Sequence, residues 1–365
     1  MVHAPRLSFE EKKSLYLDGY IIVKQAVQPE LVEAALQRIK RAERGENLGG
    51  TPEMTDLVNA SMVTPILNEA MGQFDPPAAC QVAVLPPSKP GDYFNNLGYK
   101  DRDMPYHGVQ SHMDGLCTIS APQAVQEGTD EEIYYRYIAS GPKGDLGRSA
   151  DVMGHNFVPL FEDPEMKLGM GSFTAFVFVC LNDQSQPGCG QTSVIKGAHH
   201  KTQEFFRWQA EQGDRMGPEG PGWPRLNYDV PNRCGLVYLP QQVRDHFIDD
   251  TSESTPDGVK WPRPTQVLME PGDVCITLFH IPHSGSRNEN GTESRKNIIF
   301  RIRNKSRQPN HVVNGVSDHP DRGQMGEWLE YEKGNNPWER SKHHLCNMWE
   351  EWEGMQEVVA KMEAG

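Results

Sequence analysis

Short apolar runs separated by turn residues dominate the middle of the chain. Runs of this length, rich in β-branched and aromatic residues and bounded by Gly, Pro, Asn or Asp, predict β-strands. The predicted strands cover 81–86, the stretch around His112, 173–181, 191–196, 265–270, 273–279 and 297–302. Because no regular helical pattern separates them, they favour an antiparallel barrel or sandwich, and the expected fold class is mainly β with flanking helices.

The first part of the chain has a helical pattern instead. A capping box at Ser8 and Glu11 predicts a short helix. A strand follows at 20–24, and Pro29 begins a second helix. N-terminal helices are therefore expected over 8–45, ahead of the strand-rich body.

Apolar residues recur at three- and four-residue spacing near the C-terminus. They are Leu345, Met348, Trp349, Trp352, Met355, Val359 and Met362. This spacing predicts the apolar stripe of one amphipathic helix, within a C-terminal helical extension of about 325–363. We expect the stripe to pack onto the body of the protein, and a homodimer interface is the alternative.

Two long segments interrupt the predicted core, which extends over about 80–303. The first insertion, about 121–170, is charged and rich in tyrosine, and the second, about 201–262, contains three tryptophans. Loops of this length are uncommon unless they act as lids or binding loops. We expect the insertions to close over a substrate, with surface decoration by short helices as the alternative. The whole chain, 1–365, is interpreted as one domain.

Composition narrows the functional classes. The chain has 365 residues and a net charge of −14, which argues against nucleic-acid binding because phosphates would be repelled. It contains no run of 18 apolar residues, so no membrane span is expected, and its N-terminus lacks an apolar signal core. The seven cysteines include no C-x-x-C pair, which indicates the reduced thiols of a cytoplasmic protein.

A His-x-Asp motif lies at His112 and Asp114. Residues two apart on a strand point to the same face, so both side chains could hold one metal ion inside a barrel. The motif is weak evidence alone, because a second copy occurs at His319 and Asp321 in a polar loop, where a surface position is expected.

A third ligand would have to come from a neighbouring strand. The candidates are His246, His280 and His283. His283 begins a turn-rich segment at a strand end, where a side chain can reach a metal. His280 fits equally well as a core or rim histidine with its hydrogen bonds satisfied, and the charged surroundings of His246 indicate a surface position.

An arginine could supply a carboxylate anchor beside such an ion. Arg295 follows a turn and precedes an apolar strand, and a guanidinium pairs with a carboxylate through two parallel hydrogen bonds. Arg301 and Arg303 have the same strand parity and are competing anchors. A solvated charge at the sheet edge is the alternative for all three.

These features resemble the phytanoyl-CoA dioxygenase family of Fe(II)/2-oxoglutarate oxygenases. The resemblance extends from about 8 to 303 and includes FEEKKSLYLDGYIIVKQAVQPELVEAALQRI, HMD at 112–114 and TAFVFVCLNDQSQPGCGQTSVIKGAHH. It ends with PGDVCITLFHIPHSGSRNENGTESRKNIIFRI, where the family's distal histidine follows the Pro-Gly-Asp aspartate by ten residues. That spacing from Asp273 selects His283 over His280. The family's Pro-Gly-Ser-His stretch reads Lys-Gly-Ala-His here.

The resemblance implies a double-stranded β-helix (a jelly roll, cupin-like) that binds Fe(II) through His112, Asp114 and His283. It places Arg295 on the distal carboxylate of 2-oxoglutarate, with Thr192 as a further contact and Gln110 as a weaker candidate. With O₂ as the other co-substrate, it implies hydroxylation of a small-molecule or natural-product substrate, with release of succinate and CO₂. The carboxylate at position 114 favours oxygenation over halogenation.

Two other functions fit the same residues. A catalytically silent member of the fold would bind metal or 2-oxoglutarate without turnover. A cupin-type metalloprotein would use the same three ligands with Zn or Mn, because ligand identity alone does not choose the metal. Arg295 discriminates between them, since only a protein that binds 2-oxoglutarate needs the anchor.

Overall fold

The fold was analysed in a computed structural model of the chain. The structure describes residues 5–88, 111–113, 166–169, 173–213, 216–217, 221–223, 239–254, 260–306, 330–333 and 338–365. The α-helices are Phe9–Asp18, Pro29–Lys40, Pro52–Asn59, Val63–Ala70, Ala198–Glu211, Gln241–Arg244, Trp338–Cys346 and Gln356–Glu363, with 3₁₀ turns at Asp245–Phe247 and Glu353–Met355.

Twelve strands occur in the described residues, and every pairing between them is antiparallel. They are β1 (Tyr20–Val23), β2 (Gln81–Leu85), β3 (Met166–Gly169), β4 (Ala175–Cys180), β5 (Thr192–Val194), β6 (Glu253–Ser254), β7 (Lys260–Trp261), β8 (Thr265–Gln266), β9 (Val274–Leu278), β10 (His283–Gly285), β11 (Arg295–Ile302) and β12 (Glu330–Lys333). A five-stranded sheet has the order β1-β9-β4-β11-β2, and a three-stranded sheet has the order β10-β5-β8. Two further pairs, β12-β3 and β6-β7, complete the set.

The five-stranded sheet buries both faces, and strand parity separates them. Val177, Ile276 and Phe300 point to an outer face and join the main apolar core. That core also contains the N-terminal helices, through Leu15 and Leu57, and the C-terminal segment. The opposite, inner face meets the three-stranded sheet, where Phe176 packs on His283 and Asn297 bonds to Thr192. The described strands are thus antiparallel sheets with flanking helices, as the mainly-β prediction requires.

The predicted N-terminal elements are confirmed. The Ser8 hydroxyl accepts from the Glu11 amide at 3.2 Å, and the Glu11 carboxylate accepts from the Ser8 amide at 2.7 Å. The first helix ends at Gly19, whose φ of +80° is the left-handed conformation that glycine adopts readily. The strand and the second helix follow as predicted, although that helix ends at Lys40. The helices at Pro52–Asn59 and Val63–Ala70 lie beyond the predicted helical region.

The prediction of one C-terminal helix is wrong. Two helices, Trp338–Cys346 and Gln356–Glu363, flank a tightly turned segment. Gly354 lies in the 3₁₀ turn Glu353–Met355 between them, where a Cβ would overlap the backbone carbonyl of Glu69, so the close approach requires glycine. The side chains of the predicted stripe are nevertheless buried on the body of the protein, apart from Met362, which is half-buried.

Two further observations, on the cysteines and on long apolar helices, concern only the described part of the chain. Its five cysteines, Cys80, Cys180, Cys189, Cys275 and Cys346, are free thiols. None of its helices combines the length and the apolar run that crossing a bilayer requires. Most of the first insertion and the second His-x-Asp motif lie outside the described residues, as do Tyr228 and much of the second insertion around it.

Candidate active site

His112 and His283 face each other across an antiparallel bridge. Their backbones exchange two hydrogen bonds, His112 N to His283 O at 2.9 Å and His283 N to His112 O at 2.8 Å. The imidazole centroids lie 4.6 Å apart, and both side chains are buried. Two histidines separated by 170 residues in sequence are therefore neighbours, and the pairing itself fixes their spacing.

The ring of His283 is held on two sides. Its Nδ1 lies 3.2 Å from the carbonyl oxygen of Ile281 and donates to it in the tautomer that leaves Nε2 as an acceptor. Phe176 and Phe178 of β4 pack on the same ring, with centroids at 4.8 and 6.0 Å. A histidine that ligates a metal through one nitrogen is usually oriented through the other in this way.

The histidine pair fits one transition-metal ion. Metal-to-imidazole bonds are about 2 Å long, so rings in direct contact can share an ion. Asp114 and Gln110 lie outside the described residues, and among those described no third His, Cys, Asp or Glu completes a cluster with the pair. The structure thus brings together two of the three ligands implied by the sequence.

His280 has a different role, although it lies only three residues before His283. Its Nε2 donates to the carbonyl oxygen of Leu345 at 2.9 Å, and its ring packs against Phe206 and His344. Burial, reinforced by His344, holds the pKa of His280 well below its ordinary value. A neutral histidine that fastens the C-terminal segment is a structural group. His246 is exposed, as expected.

Arg295 is a buried cation. It begins β11 opposite Leu85, and burial lowers the pKa of its guanidinium to about 10. Within the described residues its Nε has no hydrogen-bond partner. Gly190, with φ of +79°, packs against its Cβ. A buried charge normally requires a partner, so this guanidinium is suited to an anion from outside the chain.

Thr192 belongs to a chain of buried side chains that leads towards Arg295. Its Oγ1 accepts from Asn297 Nδ2 at 3.4 Å, and Asn297 Oδ1 accepts from Gln184 Nε2 at 2.7 Å. All three residues are buried. Asn297 shares the face of Arg295, two positions along β11.

The register of the small sheet orders these groups. His283 pairs with Val194, and Gly285 pairs with Thr192. Thr192 therefore lies two residues, about 7 Å, along the sheet from the histidine pair, in the direction of Arg295. A metal position, a hydroxyl and a buried guanidinium succeed one another on the inner face, which suits an elongated dianion.

The two competing arginines, Arg301 in β11 and Arg303 just after it, differ from Arg295 in burial. Arg301 is half-buried, stacks on the Phe176 ring with its Cζ 4.7 Å from the centroid, and donates to Gln81 Oε1 at 3.0 Å. Arg303 is also half-buried. Arg295 is thus the enclosed member of the set of competing anchors.

Sequence reasoning missed several groups of this site. Phe176 and Phe178 alternate with outward-facing residues of β4, and that alternation is visible in the strand itself. Asn297 directly precedes the apolar residues Ile298–Phe300 and shares the strand parity of Arg295, and that parity would have identified it. Gln184 forms an isolated antiparallel bridge with Met269, and nothing in the local sequence distinguishes it.

No protein-family model and no curated protein matches the chain. Among solved structures, the chain is similar to iron-bound HygX from Streptomyces hygroscopicus, at 12% identity and a TM-score of 0.39 over 82% of this chain and 87% of that one. It is also similar to the non-heme alpha ketoglutarate dependent carbocyclase SnoK from nogalamycin biosynthesis, at 13% identity and 0.40 over 90% and 97%. Likenesses this distant show neither the family nor the function of this chain.

Proposed function

We propose that the protein is an Fe(II)/2-oxoglutarate-dependent oxygenase that hydroxylates a C–H bond of a small molecule. The observation that carries the proposal is the His112–His283 pair, buried between two facing sheets with its rings 4.6 Å apart. Asp114 would be the third ligand, since it lies two residues after His112 in the sequence. Two histidines and one carboxylate are the ligand set of non-haem Fe(II) oxygenases.

Arg295 favours this function over a cupin-type metalloprotein. A cupin that binds only a metal has no use for a buried guanidinium without a partner in the described residues, because such a group costs stability. A dicarboxylate co-substrate would bind the metal with one end and satisfy Arg295 with the other. Thr192 lies between the two positions along the sheet.

Bound iron with 2-oxoglutarate would supply O₂ activation, with succinate and CO₂ as products. The chain's own residues position and shield the reactants. Ile281 O fixes the tautomer of His283, and Phe176 and Phe178 fix its ring. The facing sheets keep water from the histidine pair, which is a general requirement for chemistry of this kind.

We propose in addition a jelly-roll core and a further co-substrate contact. The sandwich of a five-stranded and a three-stranded antiparallel sheet is compatible with a jelly-roll core of the phytanoyl-CoA dioxygenase type. Gln110 remains a candidate co-substrate contact. A homodimer would have to use other surfaces than the C-terminal stripe, because nearly all of those side chains are buried within the chain.

Anaerobic titration with Fe(II) and 2-oxoglutarate tests the proposal. The expected result is a visible metal-to-ligand charge-transfer band, followed by succinate release when O₂ is admitted with a panel of metabolites. Absence of the band in correctly folded protein would refute the proposed function.

His283→Gln and His280→Gln form a matched pair for this titration. Removing a metal ligand should abolish the band, whereas His280→Gln should keep it, because His280 bonds to Leu345 and glutamine can still donate there. Circular dichroism confirms that both variants fold. Equal loss of the band in both variants would contradict the assignment of His283.

A further inference from the structure

Arg301 lies on the same face of β11 as Arg295, six residues along the strand. At about 3.4 Å per residue the two Cα atoms are roughly 20 Å apart. The His283 ring contacts Phe176 and Phe178, which pair with Arg301 and Ile299. The histidine pair therefore lies beside the Arg301 end of the inner face, on the opposite side from Arg295.

Two stacking contacts connect the Arg301 guanidinium to the histidine pair. Its Cζ lies 4.7 Å from the centroid of the Phe176 ring, and that ring lies 4.8 Å from the His283 ring. The side-chain oxygen Oε1 of Gln81 accepts from Nη2 at 3.0 Å and fixes the rotation of the group. A guanidinium stacked on an aromatic ring keeps its N–H groups in its own plane, where they bind oxyanions in fixed directions.

The two arginines differ in accessibility. Arg295 is enclosed, whereas Arg301 is half-buried and reaches solvent. An anion arriving from solvent can therefore reach the Arg301 guanidinium directly. The chain as a whole is strongly acidic, with a net charge of −14, so it repels anions except where a local cation attracts them.

We propose that Arg301 binds an oxyanion group, a carboxylate or a phosphate, of the substrate to be oxidised. The substrate class is therefore an anionic small molecule, held so that a neighbouring C–H bond lies beside the histidine pair. This inference rests on the proposed function, because it places the substrate relative to that metal position.

Paramagnetic relaxation tests the inference without a known substrate. The full chain is loaded with Mn(II) in place of iron and saturated with 2-oxoglutarate, and Mn(II) binding is measured first by electron paramagnetic resonance. The probes are inorganic phosphate, observed by ³¹P relaxation, and acetate, observed by the relaxation of its methyl protons. Relaxation falls steeply with distance, so it reports only anions bound close to the metal.

The expected result is enhanced relaxation of at least one probe in the wild type, reduced roughly tenfold in Arg301→Gln by the loss of charge-assisted hydrogen bonds. Arg301→Lys should retain part of the enhancement. Lys296→Gln is the matched control, because Lys296 lies on the same strand with opposite parity and bonds to Glu293 at 2.9 Å. It removes the same charge and should leave relaxation unchanged.

The possible outcomes separate the two proposals. If Mn(II) binds and relaxation is absent, or is equal in the wild type and Arg301→Gln, the inference about Arg301 is wrong while the metal site stands. An anion bound directly to the metal would produce that equality. If Mn(II) does not bind to the wild type, the proposed function fails first, and the inference fails with it.

Discussion

The two faces of the five-stranded sheet share their strands and differ in chemistry. The outer face of β11 presents Ile298 and Phe300, which are completely buried beneath the helices. The inner face of the same strand presents Arg295 and Asn297, buried against the three-stranded sheet. Successive residues of a strand point in opposite directions. Neighbouring residues of β11 therefore belong alternately to the face that stabilises the fold and to the face that is suited to binding a ligand.

The difference has an energetic consequence. Apolar burial on the outer face is favourable by about 25 cal/mol per Å² of apolar surface. On the inner face, a buried guanidinium whose Nε lacks a partner in the described residues costs stability until a ligand binds. The outer face must therefore supply the free energy that permits an inner face adapted to binding.

The largest expected effect comes from opening a cavity in the outer face. Phe300→Ala should lower the free energy of unfolding by about 3–5 kcal/mol, because Phe300 is completely buried in the main apolar core. Urea unfolding followed by circular dichroism measures the loss. The affinity of the remaining folded protein for 2-oxoglutarate should not change, and Phe300→Leu should recover most of the stability. Weakened 2-oxoglutarate binding in folded Phe300→Ala would show that the two faces are not independent.

Sequence alone predicts the two faces of this sheet well, because the alternation of side chains between the faces is a property of each strand by itself. The Ser8 capping box and most strands follow from residue type and spacing within a few positions. His112 and His283 could each be identified as a candidate metal ligand from its own sequence motif. That they meet across a bridge depends on sheet pairing, which only the assembled structure shows.

The features that sequence could not predict all depend on distant contacts. The two C-terminal helices are separated by a segment in which Gly354 approaches the backbone of Glu69, and no local pattern encodes that approach. Gln184 bonds to Asn297 across 113 residues of sequence. The His280 side chain donates a hydrogen bond to the Leu345 carbonyl oxygen, and the spacing of the histidines in the sequence does not reveal this contact.

A medium effect is expected from replacing the buried cation of the inner face. Arg295→Met should weaken 2-oxoglutarate binding by about 2.7 kcal/mol, roughly 100-fold, through loss of charge-assisted hydrogen bonds. The free energy of unfolding of the ligand-free protein should stay equal or rise, because an apolar side chain avoids the desolvation cost that lowers the pKa of Arg295. Calorimetry with Fe(II) present and urea unfolding measure the two quantities. A large loss of stability would instead give Arg295 a structural role like that of the outer face.

The smallest expected effect is on the pH dependence of the free energy of unfolding. We expect it to arise where the Ala198–Glu211 helix contacts the first helix. His199 lies in the first turn of the Ala198–Glu211 helix, and its Nε2 contacts the Tyr16 carbonyl oxygen of the first helix at 2.8 Å. Burial, reinforced by His200, lowers the pKa of His199 to about 3. The unfolded chain protonates its histidines near pH 6.5, so below that pH the unfolded state binds more protons and stability falls as the pH drops towards 3.

At pH 5 this linkage should cost about 2 kcal/mol relative to neutral pH for His199 alone. His199→Gln, which can still donate to Tyr16 O, should lose about that much of the pH dependence in urea unfolding of the metal-free protein. His246→Gln, at an exposed histidine, is the control and should behave like the wild type. If His199→Gln keeps the full pH dependence, the loss of stability in acid does not arise from His199. The inner-face histidines, His112 and His283, then become the groups to test.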